Sequence, residues 1–318
     1  MQIITRDYIE KNFVSSQGRG TKIICPSCFG NDCWETVDDN GRVHCFNCGE
    51  NFQLQDYKPD TKEKIYMELD VPRIRSYYRQ VINEYKEYIT PQHRDFLHSR
   101  GLDDTAINSF QVGYCPSGHL SIYDDDVVYD AGLADRRRNG SLASRIIFPY
   151  IADNSVTDLR GRTVIGEDPK YKSAYNPAYA RGAFYPFNWD RAEQRAFDTK
   201  KLIITEGEIK AVLADMYGYA CVGLPGMTNW RQMLIQPDWQ VIVVFDNDAD
   251  ASNRRAIDKA IAKVKQRIPN IYVGTLPLLG YKKMDIDSLL LLKNGEKYFD
   301  NVVNSAVEYE RYKLLRRF

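Results

Sequence analysis

The 318-residue chain has no run of 18 apolar residues, so no segment of it reads as a membrane-spanning helix. No Gly-Lys dipeptide occurs, which excludes a Walker A phosphate loop. There is no long repeat and no low-complexity tract, which removes solenoids and disordered tails from consideration. Cysteine is scarce, with seven in all, and no signal-peptide pattern precedes them. The expectation is a soluble protein of a reducing compartment, with no disulfide framework. Net charge is zero, but the middle of the chain is biased: residues 135 to 200 carry twelve Lys and Arg against eight Asp and Glu.

Four of the seven cysteines fall in two Cys-x-x-Cys pairs, Cys25 and Cys28, then Cys45 and Cys48. A structural zinc ion takes four thiolate or imidazole ligands at tetrahedral corners, and each pair supplies two of them from one tight turn. Between the pairs, "CWETVDDNGRVHCF" reads as strand, Asp-Asn-Gly turn and strand, which predicts a zinc ribbon with its ligands at one end of a hairpin. Cys33 and His44 lie nearby but are read as bystanders beside a complete set. A closed four-thiolate site leaves no position for substrate, so this zinc folds a module, and modules of this kind most often bind nucleic acid.

The charged stretch "DYKPDTKEK", residues 56 to 64, reads as a linker. Residues 65 to 100 read as helical, interrupted at Pro72 and stopped at Gly101. "LDDTAINSFQVGY" reads as a capped short helix running into a strand. Short strands follow in "SRIIFPYI" and "SVTDLRGRTVI", then the loop-rich "PKYKSAYNPAYARGAFYPF". Arg145, Arg160, Arg162, Lys170, Lys172 and Arg181 are interleaved here with Tyr171, Tyr175, Tyr179, Phe184 and Tyr185. Cations for phosphates and rings for bases suit a single-stranded nucleic acid groove. A solvated basic surface over an aromatic core fits the same residues.

Beyond residue 200 the pattern becomes alternating strand and helix, which predicts a parallel sheet. "KLIITEGEIKAVLADMYGY" is an apolar strand, Glu206-Gly207, then a helix with Ile209, Val212, Leu213 and Met216 on one face. "VIVVFDNDADASNRRAIDKAIAKVKQRI" repeats the plan, with Asp246 and Asp248 just past the strand. "NIYVGTLPL" supplies a further strand before "KKMDIDSLLLL", which holds Asp285 and Asp287. Open α/β sheets place ligands at the carboxyl ends of their strands. Five carboxylates converging there need cations, and an oxygen-rich, imidazole-free set suits Mg2+ or Mn2+. Asp250 and Asp258 read instead as turn residues or helix caps.

In order along the chain, "GRVHCFNCGE", "FLHSRGLDDTAINSFQVGY", "SRIIFPY", "LRGRT", "PKYKSAYNP", Glu206-Gly207, "FDNDADA" and "DIDSLL" resemble the motifs of bacterial and phage DnaG-type primases, the last three looking like Toprim motifs. The resemblance covers roughly residues 20 to 295. It implies an α+β multidomain fold: a β zinc ribbon (1–55), the linker, a mixed α/β basic subdomain (65–196), a Toprim α/β domain with a parallel sheet (197–290) and a helical tail (291–318). It gives Glu206, Asp246, Asp248, Asp285 and Asp287 the catalytic and metal-binding positions. Arg145, Lys170 and Arg181 take basic positions expected to contact template, nucleotide or primer, and Arg160, Arg162, Lys172 and Lys210 are further candidate nucleic-acid-binding residues. Family members usually have His at the second zinc position; Cys28 keeps the tetrahedron and adds one negative charge.

By the same resemblance the expected activity is template-directed synthesis of short RNA primers from NTPs on single-stranded DNA, with structural Zn2+ and catalytic Mg2+ or Mn2+. The residues after 290 allow one or two helices and not the helicase-binding domain of cellular primases. That implies a replicative helicase acting in trans, and a phage or mobile-element protein in the cytoplasm of a bacterial host. A Toprim nuclease would use the same acids without needing the basic block. A topoisomerase would need a clamp domain and a nucleophilic tyrosine, for which there is little room. A DNA-binding recombination or replication scaffold would not need the acids at all.

Overall fold

The structure, a computed structural model, describes residues 2–316 except 17–19, 32, 37–41, 46, 49, 55–69, 118–119, 135–139, 165, 167–168, 175–184 and 227–233. The chain divides into two compact units, Met1–Met67 and Glu68–Phe318. The expected linker, residues 56–64, lies outside the described residues, as does the Asp-Asn-Gly turn.

The first unit contains β1 (Gln2–Ile4), α1 (Arg6–Lys11), β2 (Phe13–Ser16), β3 (Gly20–Ile23), β4 (Cys33–Thr36), β5 (Arg42–Cys45) and β6 (Asn51–Leu54). They make one sheet in the order β1-β6-β5-β4-β3-β2, antiparallel apart from β1 beside β6. The expected hairpin is β4 and β5, but it is the centre of a larger sheet than the cysteine spacing suggested. Strand side chains alternate between faces. Ile23, Cys33, Val43, Cys45 and Phe52 are therefore fully buried on one face, while Lys22, Trp34, His44 and Asn51 align across β3 to β6 on the other. The Lys22 ammonium lies 5.3 Å from the Trp34 ring centroid.

The second unit opens with α2 (Val71–Glu87), α3 (Pro91–Ser99), α4 (Asp104–Ser109), β7 (Gly113–Cys115), α5 (Val127–Asp130), β8 (Arg145–Ala152), β9 (Ser155–Thr163) and β10 (Tyr171–Ser173). Pro72 does not interrupt a helix; it begins one. Asp70 is the N-cap, its carboxylate accepting from the Arg73 amide at 2.9 Å, and Pro in the first turn loses no helical hydrogen bond. Strands β10-β9-β8-β7 form an antiparallel sheet. The apolar stripe of α2 (Ile74, Tyr77, Tyr78, Val81, Ile82 and Tyr85) packs with Ile147, Val156 and Leu159 of that sheet.

Then follow α6 (Trp189–Thr199), β11 (Lys201–Glu206), α7 (Glu208–Met216), β12 (Cys221–Leu224), β13 (Gln240–Val243), β14 (Asn247–Asp248), α8 (Ala251–Arg267), β15 (Ile271–Val273), β16 (Lys283–Met284), α9 (Ile286–Leu290), α10 (Gly295–Asn304), β17 (Val307–Glu308) and α11 (Tyr309–Leu315). The sheet order is β12-β11-β13-β15-β17, parallel except where β17 runs against β15. Both faces are covered. Ile203 and Ile242 pack with α7, α9 and α10, whereas Leu202, Ile204, Val241 and Val243 pack with α6, α8 and α11. That is why these strands read as unbroken apolar runs. Met216, expected on the buried face of α7, is 37% exposed.

Two expected divisions differ from what the structure contains. Leu97, Phe148, Tyr150 and Phe187 share one core with Ile203, Ile209, Leu213 and Leu289, so the boundary placed at 196/197 runs through a common interior. Residues 291–318 are not a plain helical tail, because β17 extends the sheet and Tyr312 of α11 is buried in its core. A two-residue strand carries too little periodicity to be seen in sequence.

One backbone contact governs the strand edge that carries Glu206. A Cβ on Gly223 would lie 2.3 Å from the Gly207 carbonyl oxygen, and Gly207 itself has φ of +82°. Only glycine allows β12 to approach the β11–α7 turn this closely. Gly223→Ala should lower unfolding free energy by about 1–3 kcal/mol, measured by urea denaturation of the full chain.

Candidate active site and zinc module

In the first unit the sulfurs of Cys25, Cys28, Cys45 and Cys48 all lie within 4.8 Å of one another. With metal–sulfur bonds of about 2.3 Å, a tetrahedral site has sulfur–sulfur edges of about 3.8 Å. Cys25 to Cys48 is 3.8 Å and Cys28 to Cys45 is 3.7 Å, so the four residues fit a zinc ion. A backbone hydrogen bond from Gly30 lowers the Cys28 thiol to about 7, favouring the thiolate a metal requires. Cys33 is buried and its thiol is pushed up by burial. His44 Nδ1 lies 2.8 Å from Asn51 Oδ1. Neither belongs to the metal set. Cys45→Ser should remove zinc, measured as metal content, and broaden the thermal transition of the first unit.

In the second unit, three backbone features bring the acids together. β11 delivers Glu206 to the C-terminal edge of the sheet. Three residues past β13 comes Asp246. β14 pairs antiparallel with β16, setting Asp248 opposite Lys283 and drawing Asp285 toward Asp246. Glu206, Asp246 and Asp285 line one cavity of about 410 Å³. Six cations line it with them: Arg100, Arg160, Arg162, Lys170, Lys210 and Lys283. Asp248 and Asp287 are not in its wall. Asp248 accepts from the Asp250 amide at 2.8 Å and from Asn253 Nδ2 at 2.9 Å. Asp287 is 1% exposed and ion-paired with Arg100.

Asp246 is held on both oxygens, by Lys210 and, at 2.9 Å, by Lys283. The hydrogen bond to Asp246 holds the Lys283 ammonium above its ordinary value. Burial raises the Glu206 carboxyl, opposed by Lys210 and reinforced by Asp246. Burial would also raise Asp285, but hydrogen bonds from Ser288 and the charges of Lys210 and Arg100 leave it lowered. A half-buried carboxylate beside two others is a fit place for a hard divalent cation.

The opposite wall is built from the antiparallel sheet. Arg162 Nη1 donates to the Tyr171 hydroxyl at 3.1 Å, and the Arg160 guanidinium lies 4.8 Å from the Tyr171 ring centroid. Arg160 also donates to Glu208 at 3.1 Å, and the Tyr150 hydroxyl donates to the same oxygen at 2.6 Å. Glu208 is thus a buried anchor that fixes one cation of the wall. Lys170 is pushed below its ordinary value, first by partial burial and then by Arg162, Arg100, Lys210 and Lys283. Cations crowded this way are relieved by a polyanion.

The other basic residues fall differently. Arg145 is 3% exposed, and its guanidinium donates to the carbonyls of Ala143 at 3.1 Å and Pro169 at 3.0 Å. Gly161 leaves the room it occupies, a Cβ there falling 2.9 Å from its side chain. Arg145 therefore braces the segment that presents Lys170 and does not itself line the cavity. Lys172 is exposed on β10, one residue out of phase with Tyr171. Arg181 lies outside the described residues, as do Tyr175, Tyr179 and Phe184. Asp250 caps α8, and Asp258 accepts from the Tyr312 hydroxyl. Sequence reasoning missed Arg100, Lys283 and Glu208, although Arg100 ends α3 beside Gly101 and Lys283 stands two residues before Asp285.

A four-cysteine module that fits zinc is followed by an α/β unit whose sheet edge sets carboxylates against a wall of cations. Comparison makes this more particular: the chain has the fold of DnaG-type primases and resembles bacterial DNA primases in sequence. Among solved structures, the zinc-binding and RNA polymerase domains of Aquifex aeolicus primase match with a TM-score of 0.59 at 17% identity, over 95% of this chain and 83% of that one. The RNA polymerase domain of Mycobacterium tuberculosis DnaG matches with a TM-score of 0.63 at 19% identity, over 76% of this chain and 85% of that one. A DnaG catalytic domain bound to single-stranded DNA matches with a TM-score of 0.63 at 20% identity, over 77% and 83%. The DNA primase of Synechococcus elongatus is 26% identical over 191 residues, 54% of this chain and 28% of that protein. That of Staphylococcus aureus is 24% identical over 255 residues, 68% of this chain and 41% of that protein. The chain thus matches less than half the length of these curated relatives. Residues 196–273 also match a family model described as a domain of unknown function, DUF3854.

Arg100 and Lys170 differ in what they hold. Arg100→Ala leaves the buried Asp287 carboxylate without its cation and should cost about 3 kcal/mol or more in urea unfolding. Lys170→Ala should leave unfolding within about 0.5 kcal/mol of wild type by the same measurement.

Proposed function

We propose that this protein is a DNA primase, joining ribonucleoside triphosphates into short RNA on a single-stranded DNA template. The observation that carries the reading is the cavity itself, where Glu206, Asp246 and Asp285 face Arg100, Arg160, Arg162, Lys170, Lys210 and Lys283. Nucleotidyl transfer asks a protein mainly for position and charge: a 3′-hydroxyl attacks the α-phosphate and pyrophosphate leaves in line. Mg2+ or Mn2+ bound at the carboxylates would supply the Lewis acidity that lowers the attacking hydroxyl's pKa and neutralises the triphosphate.

The chain's own groups do the rest. Glu206 and Asp285 present carboxylate oxygens at the cavity mouth, with Asp246 between its two lysines. Arg100, Arg162 and Lys170 bind the phosphate oxygens, and Arg160 holds its place through Glu208 and Tyr150. Arg145 orients the Lys170 segment by its two carbonyl contacts. Asp248 and Asp287 act from behind, the first at the start of α8 and the second by fixing Arg100. Lys172, exposed on β10, extends the basic surface toward template and primer, and Arg181 has the role of a further contact to them. The zinc module, with Lys22 and Trp34 on its open sheet face, recruits the single-stranded template. The site of action is the bacterial cytoplasm.

The test is incorporation of labelled ribonucleotides on mixed-sequence single-stranded DNA in Mg2+ or Mn2+. Short labelled products from wild type, reduced at least about a hundredfold in Asp246→Ala, are expected. Cleavage of the template by wild type alone would make the protein a nuclease. DNA binding without products or cleavage, unchanged in Asp246→Ala, would make it a scaffold.

A further inference from the structure

One ammonium sits inside the carboxylate cluster. Lys210 lies one helical turn after Glu206, at the start of α7, and its side chain is only 15% exposed. It pairs with one oxygen of Asp246 while Lys283 takes the other at 2.9 Å. Its charge also acts on Glu206 and on Asp285. Lys210 thus acts on all three acids of the cavity, as Lys283 does. Lys283 differs in exposure, with a side chain 56% exposed that can swing into solvent. Lys210 cannot leave so easily, because the wall of the cavity closes around it.

Two-ion phosphoryl-transfer sites hold their cations about 3.5–4 Å apart and share a carboxylate between them. A cation in hydrogen-bond contact with Asp246 stands where one of two such ions would share that group. Among the described residues, the Glu206 carboxylate has no hydrogen bond or ion pair, so its oxygens are left for the other. We propose that Lys210 is a built-in substitute for one divalent ion, so that the cavity takes a single Mg2+ or Mn2+, held by Glu206 and Asp285. This rests on the cavity being the divalent-cation site of the proposed function.

The test counts Mn2+ on the zinc-loaded full chain by electron paramagnetic resonance of the free ion, with Asp285→Asn defining which binding belongs to the cavity. Wild type should bind one Mn2+ there. Lys210→Met, which keeps the length of the side chain without its charge, should bind a second, or bind the first at least about tenfold more tightly. Lys210→Arg should keep the single ion. Two ions in wild type would overturn the proposal whatever the variants do, and so would Lys210→Met binding no more than wild type with zinc content and unfolding transition unchanged. Should Lys210→Met fail to fold, Lys210→Gln takes its place on the same criteria. Primer synthesis is read separately. One ion without synthesis sinks the primase reading and leaves this one standing, while synthesis with two ions does the reverse.

Discussion

Glu206, Asp246 and Asp285 reach one cavity from three separate segments, and their mutual repulsion is the constraint from which the rest of the site follows. Two unit charges about 5 Å apart repel by about 3 kcal/mol at the effective dielectric of a protein surface. The chain answers with Lys210 and Lys283 on the two oxygens of Asp246, and with Arg100, Arg162 and Lys170 a short distance away. Those cations do more than offset the acids. They outnumber them, and the surplus leaves the cavity with a positive field.

The scaffold earns its form from the same need. A parallel sheet buried on both faces points every strand end one way, so carboxylates at those ends meet without any long-range design of loops. Gly223 lets β12 lie against the Glu206-Gly207 turn. The β14–β16 pair folds the Asp285 segment back over Asp246. On the other wall, Glu208 and Tyr150 tie the antiparallel sheet to the parallel one through Arg160, and a common core of Phe148, Phe187, Ile203 and Leu289 keeps the two walls in register. Both sides of the cavity belong to one interior.

Much of this was legible in the residues. The cysteine spacing pointed to the four-sulfur cluster, and apolar runs followed by acids pointed to the sheet edge and to Glu206, Asp246 and Asp285. Legibility ended where tertiary contact decides. Asp287 stands only two residues beyond Asp285 in the same motif, and only packing shows that it is buried and paired with Arg100. Arg145 reads as one more cation in a basic block, yet it is spent on two backbone carbonyls. Pro72 reads as a break because its helix begins within a stretch that is helical in composition throughout. The edge strand β17 is too short to announce itself, and Glu208 is hidden by its position one residue past Gly207, where a surface charge would be the ordinary expectation.

The central claim is that one cavity brings cation and triphosphate together. Diffraction from crystals of the full chain grown with Mn2+ and a non-hydrolysable ribonucleoside triphosphate tests it most directly, using the anomalous signal of manganese. The account predicts manganese against Glu206 and Asp285 with the phosphates lying on Arg100, Arg162 and Lys170. Manganese elsewhere, or a triphosphate bound outside this cavity, would contradict it.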